Sequence, residues 1–431
     1  MSKRLLTLFS LLVVASMLLA ACAPAAQPTE APAPEMTEAP VPEATEPPAP
    51  AAFTCDDPIG CVDVAPGEPI HLAYAMVISG PDETLGVDSR NGVEIAIRNK
   101  GQVLGHDITL TGEDEGCSAE GGQAAGTKLS ADPTIIAVIG TSCSSAARVA
   151  VPLLSQAGFV IVSASNTAPD LTLEGNPNQH PGYLRTAHSD LVQGAAAARF
   201  AYEFKKTTKA ATIHDGSLYA EKLQEVFAEE FQKLGGTITA QEAVDPNATD
   251  FKSALTSIAA TGPEFIYYPI FVKAGSLITR QVKETPGLES VFLMGADGMF
   301  SPDVVEGAGE AVEGLFVSSP DLSAFSEAYQ TDFLPKYKEM FGVDAPISIF
   351  HAHAYDAAML VFAAVEKVAV QDADGTLHIP RQALRDAMYS TVDFPGLTGN
   401  LTCSPTGDCA DPVIAVYEYH VGEYPPERIW P

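Results

Sequence analysis

Two loops and one turn hold the residues of this chain whose types and spacing suit them to chemistry. In the first loop, Thr141-Ser142-Cys143-Ser144-Ser145 separates an apolar, strand-like run (134–140) from a helical pattern (144–156). A helix N-terminus gathers free N–H groups and the positive end of the helix dipole, so it can hold an anion. Ser144 or Ser145 could cap that helix and offer a hydroxyl to the same anion. The second loop, Asn166-Thr167-Ala168-Pro169, follows another apolar run (160–165) and adds N–H and hydroxyl donors. Two such loops side by side form a carboxylate cradle without any arginine. The third feature is Asp297, a carboxylate on the glycine-flanked turn Gly295-Ala296-Asp297-Gly298. Tyr219 opens a helical run and Phe271 closes a strand-like one, which places aromatic rings at comparable element ends. A cradle for a negative group and a carboxylate for a positive one fit a small zwitterion. The same residues have plainer uses, because Ser and Thr are preferred helix caps and Asp is common in turns.

The elements that would carry these loops alternate. Strand-like runs at 71–78, 108–111, 134–140 and 160–165 are interleaved with helical patterns at 87–100, 118–131 and 144–156. After Asp190 the rhythm restarts. Helical patterns at 191–205, 219–234, 251–260 and 274–283 alternate with strand-like runs at 210–214, 237–240, 265–271 and 290–295. Alternating βα units imply parallel sheets covered by helices on both faces. Two such blocks imply an α/β protein of two doubly wound αβα lobes, and ligands of such sheets lie beyond the carboxyl ends of the strands.

Ahead of the globular part, Lys3 and Arg4 precede an apolar run that ends in Leu19-Ala20-Ala21-Cys22. That order of charge, apolar stretch, small residues and cysteine is the pattern of a lipoprotein signal, so 1–21 reads as a signal peptide and Cys22 as its lipidation site. The chain would then be extracytoplasmic and anchored to the cell membrane through Cys22. Residues 22–52 carry the anchor and a tether of mostly Ala, Pro, Glu and Thr. Such a stretch cannot bury enough apolar surface to offset its ordering entropy, and its prolines bias it toward extended polyproline II. Six further cysteines suit an oxidising compartment. Cys55 with Cys61 and Cys403 with Cys409 could each close a small loop, leaving Cys117 with Cys143, although six cysteines leave the connectivity open. Their spacing does not suit a metal site, and no cofactor is expected. The formal net charge of −31, from 24 Lys+Arg against 55 Asp+Glu, excludes nucleic acid as a main partner, because phosphate binding needs a basic face.

From about Ile70 to the C-terminus the chain resembles the type 1 periplasmic solute-binding proteins of the leucine/isoleucine/valine-binding family, which serve ABC importers. The resemblance rests on Ser79-Gly80-Pro81, Asn91-Gly92-Val93-Glu94, Val138-Ile139-Gly140, 163–172, Arg185-Thr186-Ala187, Gln193-Gly194, Tyr267-Tyr268, Met294-Gly295 and Gly396-Leu397-Thr398-Gly399, in this order and spacing. It implies two αβα lobes joined by three hinge crossovers, with 53–189 plus 319–393 as lobe 1 and 190–318 plus 394–431 as lobe 2. It also implies hinge closure on the ligand, a permease as partner and a monomeric chain. By the same resemblance Ser144, Ser165 and Thr167 bind a ligand carboxylate. Tyr219 is the lobe 2 aromatic, Asp297 takes the ammonium, Asp190 is an acid at the first hinge crossing, and Cys117 pairs with Cys143. Departures fall around the side-chain pocket. Leu85 and Ser142 stand where branched-chain binders carry an aromatic and a leucine, Phe271 where they carry a tyrosine, and Asn166 where they carry a small residue. Ser142 and Asn166 would leave room for a polar ligand.

Two other classes compete. A ligand-sensing ectodomain for amides or carboxylates would use the same fold. An exported hydrolase would need machinery that the sequence does not supply. There is no G-x-S-x-G elbow, and the P-loop-like 121–128 lies on a helical pattern with its lysine displaced. His351-Ala-His353 sits in an apolar helical run without an evident third metal ligand, and Asp372-Ala-Asp374-Gly375 is too short for a calcium loop. The chain is therefore expected to bind rather than to catalyse.

Overall fold

The computed structural model describes residues 53–431; the expected signal, Cys22 and the tether lie outside the described residues. Two main sheets organise the described chain. The first runs in the order Gln102–Val103, His106–Asp114, Ile70–Met76, Ile135–Gly140, Val160–Ser163, Tyr183–Arg185. All its pairings are parallel except that of Gln102–Val103. The second runs Glu427–Trp430, Ile414–Glu418, Phe316–Pro320, Phe292–Gly295, Phe265–Tyr267, Lys209–His214, Thr237–Ala243. It is parallel apart from the two C-terminal strands. Alternating βα units thus give the doubly wound parallel sheets expected from the pattern. No helix among the described residues is long and apolar enough to cross a membrane.

In both sheets the strand order reverses next to the first strand of the block. The switch points lie between Ile70–Met76 and Ile135–Gly140 in one, and between Lys209–His214 and Phe265–Tyr267 in the other. Crevices open beyond the strand ends at such points. Ser142 follows the first switch, and Phe271 the second. The run 265–271 is strand only as far as Tyr267, and the next helix starts at Val272. Pro269 lacks an N–H and fixes φ, so the ladder cannot continue through it, and 268–271 become a loop at the strand end. The helical run expected at 191–205 is α-helix over Asp190–Arg199, then one wide turn over Phe200–Phe204.

The chain passes between the sheets three times, but not where the lobe boundaries were expected. Phe316–Pro320 is wholly in the second sheet, so the second crossing follows Pro320 rather than 318. Leu401, Cys403 and Cys409 are buried in the core of the first sheet, so the third crossing falls between Cys409 and Ile414 rather than at 393/394. The cause is local pinning. Cys403 is bonded to Cys409, and the backbone of 407–409 exchanges hydrogen bonds with Arg185 at the edge of the first sheet. The other disulfides join Cys55 to Cys61 and Cys117 to Cys143.

Close helix approach explains two of the glycines. Glu83–Lys100 packs against His351–Val368, and a Cβ on Gly92 would lie 2.0 Å from the His351 carbonyl oxygen. The obstacle is backbone, which cannot swing aside. Gly122 stands in the same relation to Ala146 of the helix Ser144–Gln156. Gly92→Ala is expected to lower the unfolding free energy by about 3 kcal/mol, the cost of overpacking a rigid contact, as read by urea unfolding.

Candidate functional site

The helix Ser144–Gln156 begins directly after strand Ile135–Gly140 and the loop 141–143. Its N-cap residue, Cys143, makes no side-chain cap, so the first-turn N–H groups have no capping partner. Glu115 sits beneath the loop and accepts the Cys143 N–H at 3.2 Å. Burial holds its carboxyl well above the usual range. The Ser142 hydroxyl accepts the Val77 N–H at 3.2 Å, and the Ser165 hydroxyl donates to the Ser142 carbonyl at 2.9 Å. The first bond ties the loop to the end of strand Ile70–Met76, and the second locks the two loops to each other, beside the open helix end.

The opposite wall comes from the second sheet. Asp297 follows strand Phe292–Gly295 and is buried. Tyr219 donates its phenol proton to Asp297 Oδ1 at 2.6 Å, and the Gln193 amide donates to the same oxygen at 3.1 Å. Burial, then the nearby Asp297 charge, push the Tyr219 phenol well above its ordinary pKa, so it stays a donor. Tyr219 packs against Phe271 with ring centroids 5.3 Å apart. The two walls touch: Ser145 Oγ accepts the Leu218 N–H at 3.0 Å, and the hydroxyls of Thr84 and Ser301 lie 3.1 Å apart.

Between these walls lies a cleft lined by Leu85, Ser142, Ser144 and Ser165 from one side and Tyr219, Phe271 and Asp297 from the other. Seven of the nine candidate ligand residues therefore meet. The other two do not line the cleft. Asn166 is fully buried, and its Oδ1 accepts from Thr141 and Tyr183, each at 3.1 Å. It fills the interior of the first lobe, so it leaves no room for a polar ligand. Thr167 is also fully buried, with an unpartnered hydroxyl, and its carbonyl accepts the Asp190 N–H. Asp190 starts its helix at the first crossing; both its carboxylate oxygens are buried without a partner, and burial raises its pKa well above normal.

Sequence reasoning missed three contributors. Phe350 and Gly298 also line the cleft. Phe350 lies far along the chain, at the start of a helix, and no local pattern marks it. Gln193 stands in the matched stretch Gln193-Gly194, but that match assigns it no role at the site. His351 and His353 prove to be buried helix residues. His351 hydrogen-bonds Asp88 at 2.9 Å and Tyr329 at 2.8 Å, which gives it a structural place.

Buried Arg185 supports the serine loops from behind. It donates to the carbonyls of Asn166 and Ala168 and to the Thr172 hydroxyl, and pairs with Asp408.

A pair of doubly wound sheets with facing strand ends, and a cleft between them bearing an uncapped helix start and a buried carboxylate, defines a two-lobed binding protein. The profile of the periplasmic binding protein family matches residues 69–417, and the chain belongs to that family. It is 28% identical over 363 residues to the leucine-, isoleucine-, valine-, threonine-, and alanine-binding protein of Pseudomonas aeruginosa, covering 82% of this chain and 90% of that protein. It is also 28% identical over 269 residues to the Leu/Ile/Val-binding protein of Escherichia coli, covering 61% of this chain and 71% of that one. Its fold is similar to that of a leucine binding protein from Thermotoga maritima, with a TM-score of 0.74 at 25% identity, over 82% of this chain and 96% of that one. A branched-chain amino acid transporter substrate binding protein from Streptococcus pneumoniae, solved with isoleucine, shares the fold with a TM-score of 0.72 at 22% identity, over 84% of this chain and all of that one.

Arg185→Lys tests the support of the serine loops. An ammonium cannot reproduce the planar fork of donors. The variant is expected to lose about 2 kcal/mol of stability in urea unfolding, because the buried carbonyls of Asn166 and Ala168 lose charge-assisted donors.

Proposed function

We propose that this chain is an extracytoplasmic, lipid-anchored solute-binding protein that captures an amino acid, or a similar small zwitterion, by hinge closure and delivers it to the permease of an ABC importer. The observation that carries this reading is Asp297, buried in one wall of the cleft, facing the uncapped helix start at Ser144 in the other. The ligand carboxylate takes the first-turn N–H groups and the Ser144 hydroxyl, with Ser165 locking the loop; Thr167 and Asn166 act from behind. The ammonium takes Asp297, whose Oδ1 already has two donors and whose remaining acceptor capacity is open to a cation. Leu85, Phe271 and Phe350 wall the space for a side chain, and Ser142 edges it. The hydroxyl of Ser142 accepts from Val77, so its own proton is available to the ligand.

Charge-assisted bonds contribute about 1.5–3 kcal/mol each, and a closed cleft screens them from water. The names of the related proteins support amino acids as the ligand class.

Thermal-shift screening against the twenty amino acids is the direct test. A ligand at a hundred times its dissociation constant stabilises the folded state by about 2.7 kcal/mol, so at least one amino acid should raise the melting temperature by several degrees. Silence from all twenty overturns the reading. Asp297→Asn is expected to weaken binding by at least about a hundredfold in calorimetry, because an ammonium is left without its counter-charge. Cys22→Ala is expected to move the protein from the membrane fraction to the soluble extracytoplasmic fraction.

A further inference from the structure

Gln193 has all its polar atoms committed. Its amide nitrogen faces Asp297 Oδ1 at 3.1 Å, the Ser318 carbonyl at 3.0 Å and the Ser318 hydroxyl at 3.2 Å. A carboxylate and a carbonyl only accept, so the NH2 of the amide must point at them. Its oxygen is thereby fixed toward His188 Nε2, with which it hydrogen-bonds. That oxygen can only accept, so His188 carries its proton on Nε2 and leaves Nδ1 as a bare acceptor. Nδ1 is buried without a partner, and the ring is 2% exposed. On its other side, Nε2 lies 3.7 Å from Asp297 Oδ2.

The same imidazole lines a second cavity, where the three crossovers meet. Thr186 and His188 contribute from the first, Pro320 and Asp321 from the second, and Asp411 and Pro412 from the third. His188 therefore stands between Asp297 in the ligand cleft and a cavity at the hinge, with a vacant proton-accepting atom.

We propose that His188 is a positioning residue for ligand capture, which orients Asp297 through Gln193, and that a proton on His188 competes with the ligand's positive group for the Asp297 carboxylate. This rests on the assignment of Asp297 to the ligand ammonium made above. The charged and titratable groups around the imidazole are Asp297, Asp190 beyond it, Arg185 and His353, with Asp321 and Asp411 on the cavity that the ring lines. Burial lowers the His188 pKa; Asp297 and the Gln193 bond pull it back up, and Arg185 lowers it. Burial and the neighbouring imidazoles hold His353 well below its usual value, so it stays neutral beside His188. The imidazolium form of His188 thus depends on Asp297 being free to pair with it.

An arriving ammonium neutralises that carboxylate and removes the partner of the imidazolium. Reciprocal linkage follows: ligand lowers the His188 pKa, and protonation of His188 weakens ligand binding. Affinity is level while His188 is neutral and falls as pH drops through its free-protein pKa, by at most about tenfold per pH unit for a single linked proton. Ionisation of Asp190 changes affinity with pH in the same direction, so the imidazole itself must be observed.

The experiment follows the His188 imidazole by NMR across pH in the folded protein, free and saturated with the tightest-binding of the twenty amino acids. The titration midpoint is expected to fall when ligand is added, and to fall in the ligand-free Asp297→Asn variant. His188→Gln is expected to shallow the acid loss of affinity measured by calorimetry. A midpoint unmoved by a ligand that calorimetry shows to be bound overturns the inference and leaves the ammonium assignment standing. So does a midpoint unmoved in ligand-free Asp297→Asn, or a His188 that stays neutral down to acid unfolding. Binding by none of the twenty amino acids overturns both.

Discussion

A carboxylate taken out of water must be given donors or a counter-charge, and the molecule is arranged around that requirement at Asp297. Its donors come from separate places: Tyr219 at the start of Leu218–Lys233 and Gln193 in Asp190–Arg199. Neither donor is a cation. The nearest cationic candidate, His188, is pushed toward its neutral form by burial. The negative charge is thus oriented by hydrogen bonds but left uncompensated, and it faces a helix end with unused N–H groups. Those two surfaces do not satisfy each other across the cleft, since both gain by holding something of opposite charge between them. Under the proposed function, a small zwitterion meets both needs at once, and closure strengthens each contact by excluding water.

The supports behind the cleft are of a different kind from the cleft itself. Arg185, wholly buried, ties the 166–172 segment to the 407–409 segment. The Cys117–Cys143 bond and Glu115 hold the first loop from below. Rigid support matters because donors placed in advance lose little freedom on binding. The crossovers gather the same groups: His188 lies on the first, and Gln193 reaches Ser318 just before the second. The charge at the site and the crossovers between the two sheets are therefore in direct contact.

The fold class was legible because it rests on period. Apolar runs of strand length alternate with helical patterns throughout 70–295, and only parallel sheets accommodate that rhythm. Ser144, Asp297, Tyr219 and Phe271 were legible because strand ends and helix starts are marked in sequence, and doubly wound sheets place ligands there. The lobe boundaries were less legible. Nothing local says that 394–409 belongs with the first sheet, because the cause is a contact with Arg185, more than two hundred residues away. Asn166 misled for a related reason: a residue type in a binding loop does not reveal which way its side chain turns, and here Thr141 and Tyr183 draw it inward.

By itself, the sequence determined the alternation of elements, the acidic surface and the cysteines. It also determined which residue types stand at the strand ends. These are properties of neighbouring residues, so they can be read without knowing what packs on what. Only the tertiary structure decided that a hydroxyl-rich helix start and a carboxylate 153 positions later in the chain share one cleft. It alone decided that Phe350 closes that cleft and that Gln193 fixes the tautomer of His188. Such pairings depend on long-range packing, in which backbone sterics and buried hydrogen bonds choose among partners that the local pattern leaves equivalent.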